Sequence, residues 1–186
     1  MADNDNTEQK YRPMQAVKRH FFAMRNGVIA DTLRHAGSPF RYIFGMNLPQ
    51  LVETAEMTGK SRGLAEELWA NRTTRESMLL APMLMPTDEF TKEDALRWTA
   101  DIPAVEVADI LCHRLLRHLD FAGEIIGALA ADPSDDMRCY TAGRLALNLM
   151  NTDRKTAEHA LELLKDCEGG RTTAIVRQLS DCLADL

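Results

Sequence analysis

The chain has 186 residues, a formal net charge of −6 and four cysteines. This length suits one domain or one continuous helical array, and 45% hydrophobic against 27% charged residues is ordinary for a protein that buries its own core. Several classes are excluded: no apolar stretch approaches the roughly 20 residues of a membrane span, Cys112, Cys139, Cys167 and Cys182 form no CxxC pair that would make a zinc site with His113 and His118, and the acidity argues against a strong, non-specific binder of polyanions.

Residues 1–10 are polar and acidic, without helical periodicity or an apolar leader. They are expected to be a disordered tail on a domain running from residue 11 to 186, with reduced thiols in the cytoplasm. Pro13 suits a first helical turn, and Val17, Phe21 and Met24 continue one stripe. Asn26-Gly27 ends or bends this helix, and Gly37-Ser38-Pro39 breaks the next stripe. Asn47 has the character of a cap, with Pro49 early in the helix and Gln50 at the capping-box position; Gly59 closes the turn. Leu64, Ala65, Leu68 and Trp69 share a face of a short helix. Thr73-Thr74-Arg75-Glu76 reads as a capping box opening a helix that Pro82 should kink and Pro86 should close.

Thr91-Lys92-Glu93-Asp94 starts another helix with acids in its first turn. Ile102-Pro103 marks the following boundary, and Val105, Val107, Ala108, Leu111, Cys112 and Leu115 predict a long buried face. Asp120, Pro133-Ser134 and Asn151-Thr152 are read as starts of three more helices, with Gly169-Gly170 ending the last of these. A final helix uses Ala174, Ile175, Leu179 and Leu183. No alternating strand pattern occurs. About ten helices joined by short turns predict an all-α superhelix of antiparallel pairs, with the period of HEAT-type repeats. A globular helical bundle would leave a similar pattern.

Charge is unevenly spread. Residues 9–46 hold seven Lys and Arg against Asp31 alone, on an otherwise acidic body. Lys18 and Arg19 in this segment are candidates for phosphate contact, or else part of a solvated face. Gly-rich phosphate loops and the G-x-S-x-G nucleophile pattern are absent.

Several segments resemble the DNA alkylation repair family, the AlkD-like HEAT-repeat DNA glycosylases. They are Phe44-Gly45-Met46-Asn47-Leu48-Pro49-Gln50-Leu51, Leu64 to Trp69, Arg75 to Ala81, and Trp98 to Cys112. The family carries a "YGV-x-P-x-L" turn, a "Leu-Trp" helix, an "E-x-R-x-x-A" helix and "W-x-x-D-F-D-S-W-D-x-x-D-x-x-C" in this order. The resemblance implies a concave face that grips double-stranded DNA and, in some members, releases N-alkylated purines. An aspartate, aromatic side chains and an arginine do that work. A carboxylate stabilises the cationic sugar, an aromatic face favours a cation, and arginine holds phosphate.

The resemblance puts the acid on Asp109. Val105 stands where the family has tryptophan, Glu106 where it has aspartate, and Thr141 where it has arginine. Arg138 and Arg144 lie three residues to either side of Thr141 and are expected DNA contacts. Val105, Glu106 and Thr141 are expected to line the groove. The C-terminal repeats that carry a further aromatic in the family's active members are expected to be absent. These departures predict that 3-/7-alkylpurine glycosylase activity is weak or lost, with no cofactor or metal. A non-catalytic protein-interaction scaffold on the same fold is the alternative. Asp109 has its own alternative, an ion pair with Arg144 or Arg138 or a solvent-facing position. Trp69 and Trp98 are read as core residues, because each follows a leucine stripe.

Overall fold

The computed structural model of the protein describes residues 13–185, so the acidic segment 1–10 lies outside the described residues. The structure is 70% helical. Its α-helices are α1 Pro13–Ala23, α2 Gly27–His35, α3 Leu48–Thr58, α4 Arg62–Ala70, α5 Arg75–Leu84 and α6 Lys92–Ala100. They continue as α7 Val105–Arg114, α8 Ala122–Ala130, α9 Asp136–Leu149, α10 Arg154–Leu164 and α11 Gly170–Ala184, with a 3-10 turn at Leu116–His118. A single isolated bridge, Tyr42 to Thr74, is the sole β-type pairing among the described residues.

The helices form two layers. In one, α3, α5, α7, α9 and α11 pack each on the next; in the other, α6, α8 and α10 pack in turn, and the stack of Trp69 on Trp98 joins α4 to α6. Each helix of the second layer precedes its partner of the first in sequence, which gives the antiparallel pairs α4–α5, α8–α9 and α10–α11, while α6 packs on α8 and α9. One hydrophobic core runs between the layers from Met14 to Leu183. Trp69 and Trp98 stack inside it at 4.2 Å between centroids and 4° between planes, and Phe90 meets Trp98 edge-on at 5.0 Å. Both tryptophans are fully buried, as their leucine stripes predict.

Caps set several boundaries. Asn26 accepts from the amides of Val28 and Ile29, so Asn26-Gly27 ends α1 and begins α2. Asn47 with Gln50, and Thr91 with Asp94, form complete capping boxes. Gly59 terminates α3 at φ +77°, a region that suits glycine.

Other boundaries depart from expectation. Thr74 makes no side-chain cap, its hydroxyl meeting the Asn71 side chain instead, and Glu76 turns away from its own helix start toward the loop at residues 44–45. The other end of this helix agrees with expectation: Pro82 lies inside the helix, which stops at Leu84 just before Pro86. Phe121, not Asp120, precedes α8; Asp135 caps α9 and Asp153 caps α10, each a residue or two beyond the predicted start. Gly169-Gly170 opens α11, with Gly169 at φ +139° against the Asp136 carboxylate.

Candidate functional site

The parallel helices α3, α5 and α7 leave a groove whose floor is α5. One cleft of about 150 Å³ is bounded by Leu48 and Leu51 of α3, Arg75 and Leu79 of α5, and Glu106 and Asp109 of α7. A second, of about 550 Å³, extends past Val105, Glu106 and Asp109 to the loop at residues 36–39, Met137 and Arg171. A third, of about 350 Å³, lies one turn further along each helix, at Val52 and Ala55 of α3, Met83 of α5 and His113 of α7. One helical turn advances about 5.4 Å, so the clefts are successive stations of one surface.

The first station is built around ion pairs. Nε of Arg75 donates to both Glu106 oxygens at 2.9 Å, and a second nitrogen reaches Glu106 at 2.8 Å. A third donates to the Met46 carbonyl at 3.0 Å and to Glu76 at 3.1 Å. Burial opposes the charge on Arg75, but the bonds from Glu106 and Glu76 outweigh it and raise its pKa. Glu76 is wholly buried and also accepts from the amides of Phe44 at 3.0 Å and Gly45 at 2.9 Å. Thus the Phe44-Gly45 turn and the Arg75-Glu76 pair, both part of the family-like pattern, are joined to each other. Gly45 has φ +79°, and a Cβ there would sit 2.2 Å from the Asn26 carbonyl oxygen.

Asp109, one turn after Glu106, also arrives paired. Its Oδ1 accepts from the Tyr140 hydroxyl at 2.7 Å, and Nε of Arg144 lies 3.0 Å away, close enough for ion pairing though not aligned as a hydrogen bond. Burial, then the bond to Asp109, push the Tyr140 phenol pKa up, so it remains a proton donor. Both Asp109 and Arg144 are about 30% exposed, at 31% and 28%. Their pair therefore borders solvent at the edge of the groove.

The sequence-derived candidates separate. Val105, Glu106 and Asp109 line one cleft together, and Arg144 joins them through Asp109. Thr141 does not line the groove: it is 1% exposed, and its hydroxyl donates to the Met137 carbonyl at 2.7 Å. Arg138 turns the other way and donates to the Ala128 carbonyl at 2.8 Å. Three residues along a helix rotate a side chain by about 300°, and here that small offset puts Arg144 at the acid and sends Arg138 toward α8. Lys18 and Arg19 are exposed on α1, whose buried residues are Met14, Val17 and Phe21, and neither borders these clefts.

Sequence reasoning missed Arg75, Tyr140 and the third cleft. That cleft gathers Lys60, His113, Arg114, Arg117 and His118 with Glu56 as its acidic member. The run Cys112-His113-Arg114-Leu115-Leu116-Arg117-His118 was its visible signal. None of the three clefts is lined by Phe, Tyr or Trp. Among the described residues, no group of three or more His, Cys, Asp or Glu is placed to hold a metal, and no helix is long and apolar enough to cross a membrane.

The family model described as DNA alkylation repair enzyme matches residues 17–138. No curated protein matches the chain significantly. A solved structure from work on "a new family of proteins related to the HEAT-like repeat DNA glycosylases with affinity for branched DNA structures" superposes with a TM-score of 0.78. The two sequences are 18% identical, and the match covers 91% of this chain and 75% of that one. At that identity the likeness establishes the shared helical-repeat fold.

Proposed function

This chain belongs to the DNA alkylation repair family, and from that premise we propose that it binds DNA along the groove over α3, α5 and α7 without appreciable excision of alkylated purines. Family membership and a relative described as having affinity for branched DNA support DNA as the ligand. The observation that carries the loss of excision is the state of Asp109.

An alkylated purine leaves through a cationic sugar, so a carboxylate contributes most when its charge is uncompensated and aimed at that sugar. Asp109 already faces a guanidinium at 3.0 Å and a phenol at 2.7 Å. Val105 gives no aromatic face to hold a cationic base, and both tryptophans are enclosed in the core. Losing an electrostatic or positioning contact of this kind costs a factor of roughly 10–1000 in rate.

The test pairs two measurements on the wild-type chain. Titration of labelled duplex and four-way-junction DNA at two salt concentrations is expected to give binding that weakens as salt rises. Incubation of excess protein with methylated duplex is expected to release no 3- or 7-methylpurine above the spontaneous rate. Efficient release would overturn the non-excising reading. Absence of binding to either DNA at low salt would move the chain to a protein-interaction scaffold.

A further inference from the structure

Half of the lysines and arginines among the described residues form ion pairs. Arg62, Arg72, Arg75, Lys92, Arg97, Arg144, Arg154 and Arg171 each have a carboxylate oxygen at 3.1 Å or closer. The third cleft gathers several cations that do not. Among the described residues, Lys60, Arg114 and Arg117 make no ion pair, yet they converge with His113 and His118 on one cavity of about 350 Å³. Lys60 donates to the Met85 carbonyl at 3.1 Å, and Nε of Arg117 donates to Nε2 of His118 at 3.3 Å. Nε of Arg114 is buried without a partner. Three cations held together with Glu56 as the one carboxylate in the cleft, and no ion pair to it, carry a net positive charge that an anion would complete.

We propose that Lys60, Arg114, Arg117, His113 and His118 form a phosphate clamp for the DNA backbone, and that DNA bound there takes up protons on the two histidines. This deepens the DNA-binding reading and rests on it. The clamp stands one turn beyond the Asp109 station of the same groove, so a strand lying in the groove presents successive phosphates to it. The pocket's shape matches its chemistry. Apolar Val52, Ala55 and Met83 form the floor, and the cationic groups stand around it.

The protonation argument follows from what faces the imidazoles. From α3 comes the carboxylate of Glu56, and from the turn before α4 the Lys60 ammonium; from α7 and the 3-10 turn come Arg114 and Arg117, and from α9 comes Arg144. Burial first, then Arg117, Arg114 and Arg144, hold the His113 pKa below its usual range. Burial, Arg117 and Lys60 do the same to His118. In the empty clamp both rings are therefore neutral near pH 7. A phosphate reverses the local field: it neutralises the arginines and accepts directly from a protonated ring. Protonated His118 no longer accepts from Arg117, which frees that guanidinium for a phosphate oxygen.

The test uses the whole chain and a fluorescent duplex. The variant Lys60→Gln/Arg114→Gln/Arg117→Gln is expected to bind at least about tenfold more weakly at low salt, with the slope of log K against log salt reduced by about 2–3. The wild type should bind about tenfold more tightly at pH 6 than at pH 8, as a one-unit rise in a histidine pKa implies. His113→Gln/His118→Gln should lose that pH dependence and retain most of the salt slope. Should the triple variant lose its helical circular dichroism, Arg117→Gln replaces it, with a slope reduced by about 1. Wild-type binding with an unchanged slope in these variants overturns the clamp and leaves the DNA reading standing. A pH response that survives the histidine variant overturns proton uptake there. No wild-type binding at all overturns the underlying reading.

Discussion

Replacing Glu76 by glutamine should be among the most destabilising single-atom changes available in this fold. The carboxylate is fully buried and accepts from two backbone amides and one guanidinium, at 3.0, 2.9 and 3.1 Å. Hydrogen bonds to a charged acceptor contribute about 1.5–3 kcal/mol each. Glutamine keeps one acceptor oxygen, so one of the amides of Phe44 and Gly45 must face an NH2 group, donor against donor. Arg75 simultaneously loses one of its two anions. Breaking a buried pair from one side costs about 3–5 kcal/mol, and the non-additivity of the three bonds leaves the total in that range. At roughly 2–4 °C per kcal/mol for a chain of this size, the melting temperature should fall by about 6–20 °C. Urea titration followed by helical circular dichroism measures the change, with Glu106→Gln as control. Glu106 is 30% exposed and leaves Arg75 still paired with Glu76, so its loss should cost roughly 1 kcal/mol. A Glu76→Gln cost no larger than the control would refute the argument.

Gly45→Ala should lose about 2 kcal/mol or more in the same titration, because φ +79° and a 2.2 Å approach to the Asn26 oxygen both oppose a side chain. Asp109→Asn should leave the fold intact and tighten DNA binding by about two- to fivefold, since it removes a negative charge from the groove and releases Arg144. Weaker binding would show that the carboxylate orders Arg144 for its contact. Acid titration should reveal Asp94. Burial opposes its ionisation, but bonds from Arg97, Arg62 and Thr91 outweigh that and lower its pKa from 3.8 to about 2. Its contribution is therefore present above about pH 4 and lost as pH falls through 2. The Asp94→Asn variant should have a flatter stability profile over that window.

Most of the fold was legible because it is written in local signals. The capping boxes at Asn47 and Thr91, the breaks at Gly37-Ser38-Pro39 and Ile102-Pro103, and the leucine stripes around Trp69 and Trp98 all act within a few residues. Failures came where a side chain found a distant partner. Thr73-Thr74-Arg75-Glu76 has the composition of a capping box, yet Glu76 bonds to amides more than thirty residues away. Gly169-Gly170 has the look of a helix end, but Asp136 accepts from the amide of Thr172 at 3.0 Å, and α11 begins there instead. In both cases a tertiary bond to a buried or half-buried carboxylate overrode a local preference.

The site was less legible, for a reason tied to charge. A sequence count gives every lysine and arginine equal weight, and on that basis the basic stretch around Lys18 and Arg19 stood out. Folding changes the weights. Arg75 and Arg144 are occupied by Glu106 and Asp109, and Arg138 by a backbone carbonyl, so they present less field to a ligand than their number indicates. Lys60 is more than fifty residues from Arg114 in sequence, and only the packing of α3 against α5 and α5 against α7 brings both to one cavity. An acidic total is compatible with polyanion binding on such a surface. Screening limits exposed charges to about 10 Å at ordinary salt, so the unpaired cations in the cleft govern a phosphate there more than distant carboxylates do. The relevant quantity for this family member is thus the unpaired charge within a Debye length of the groove.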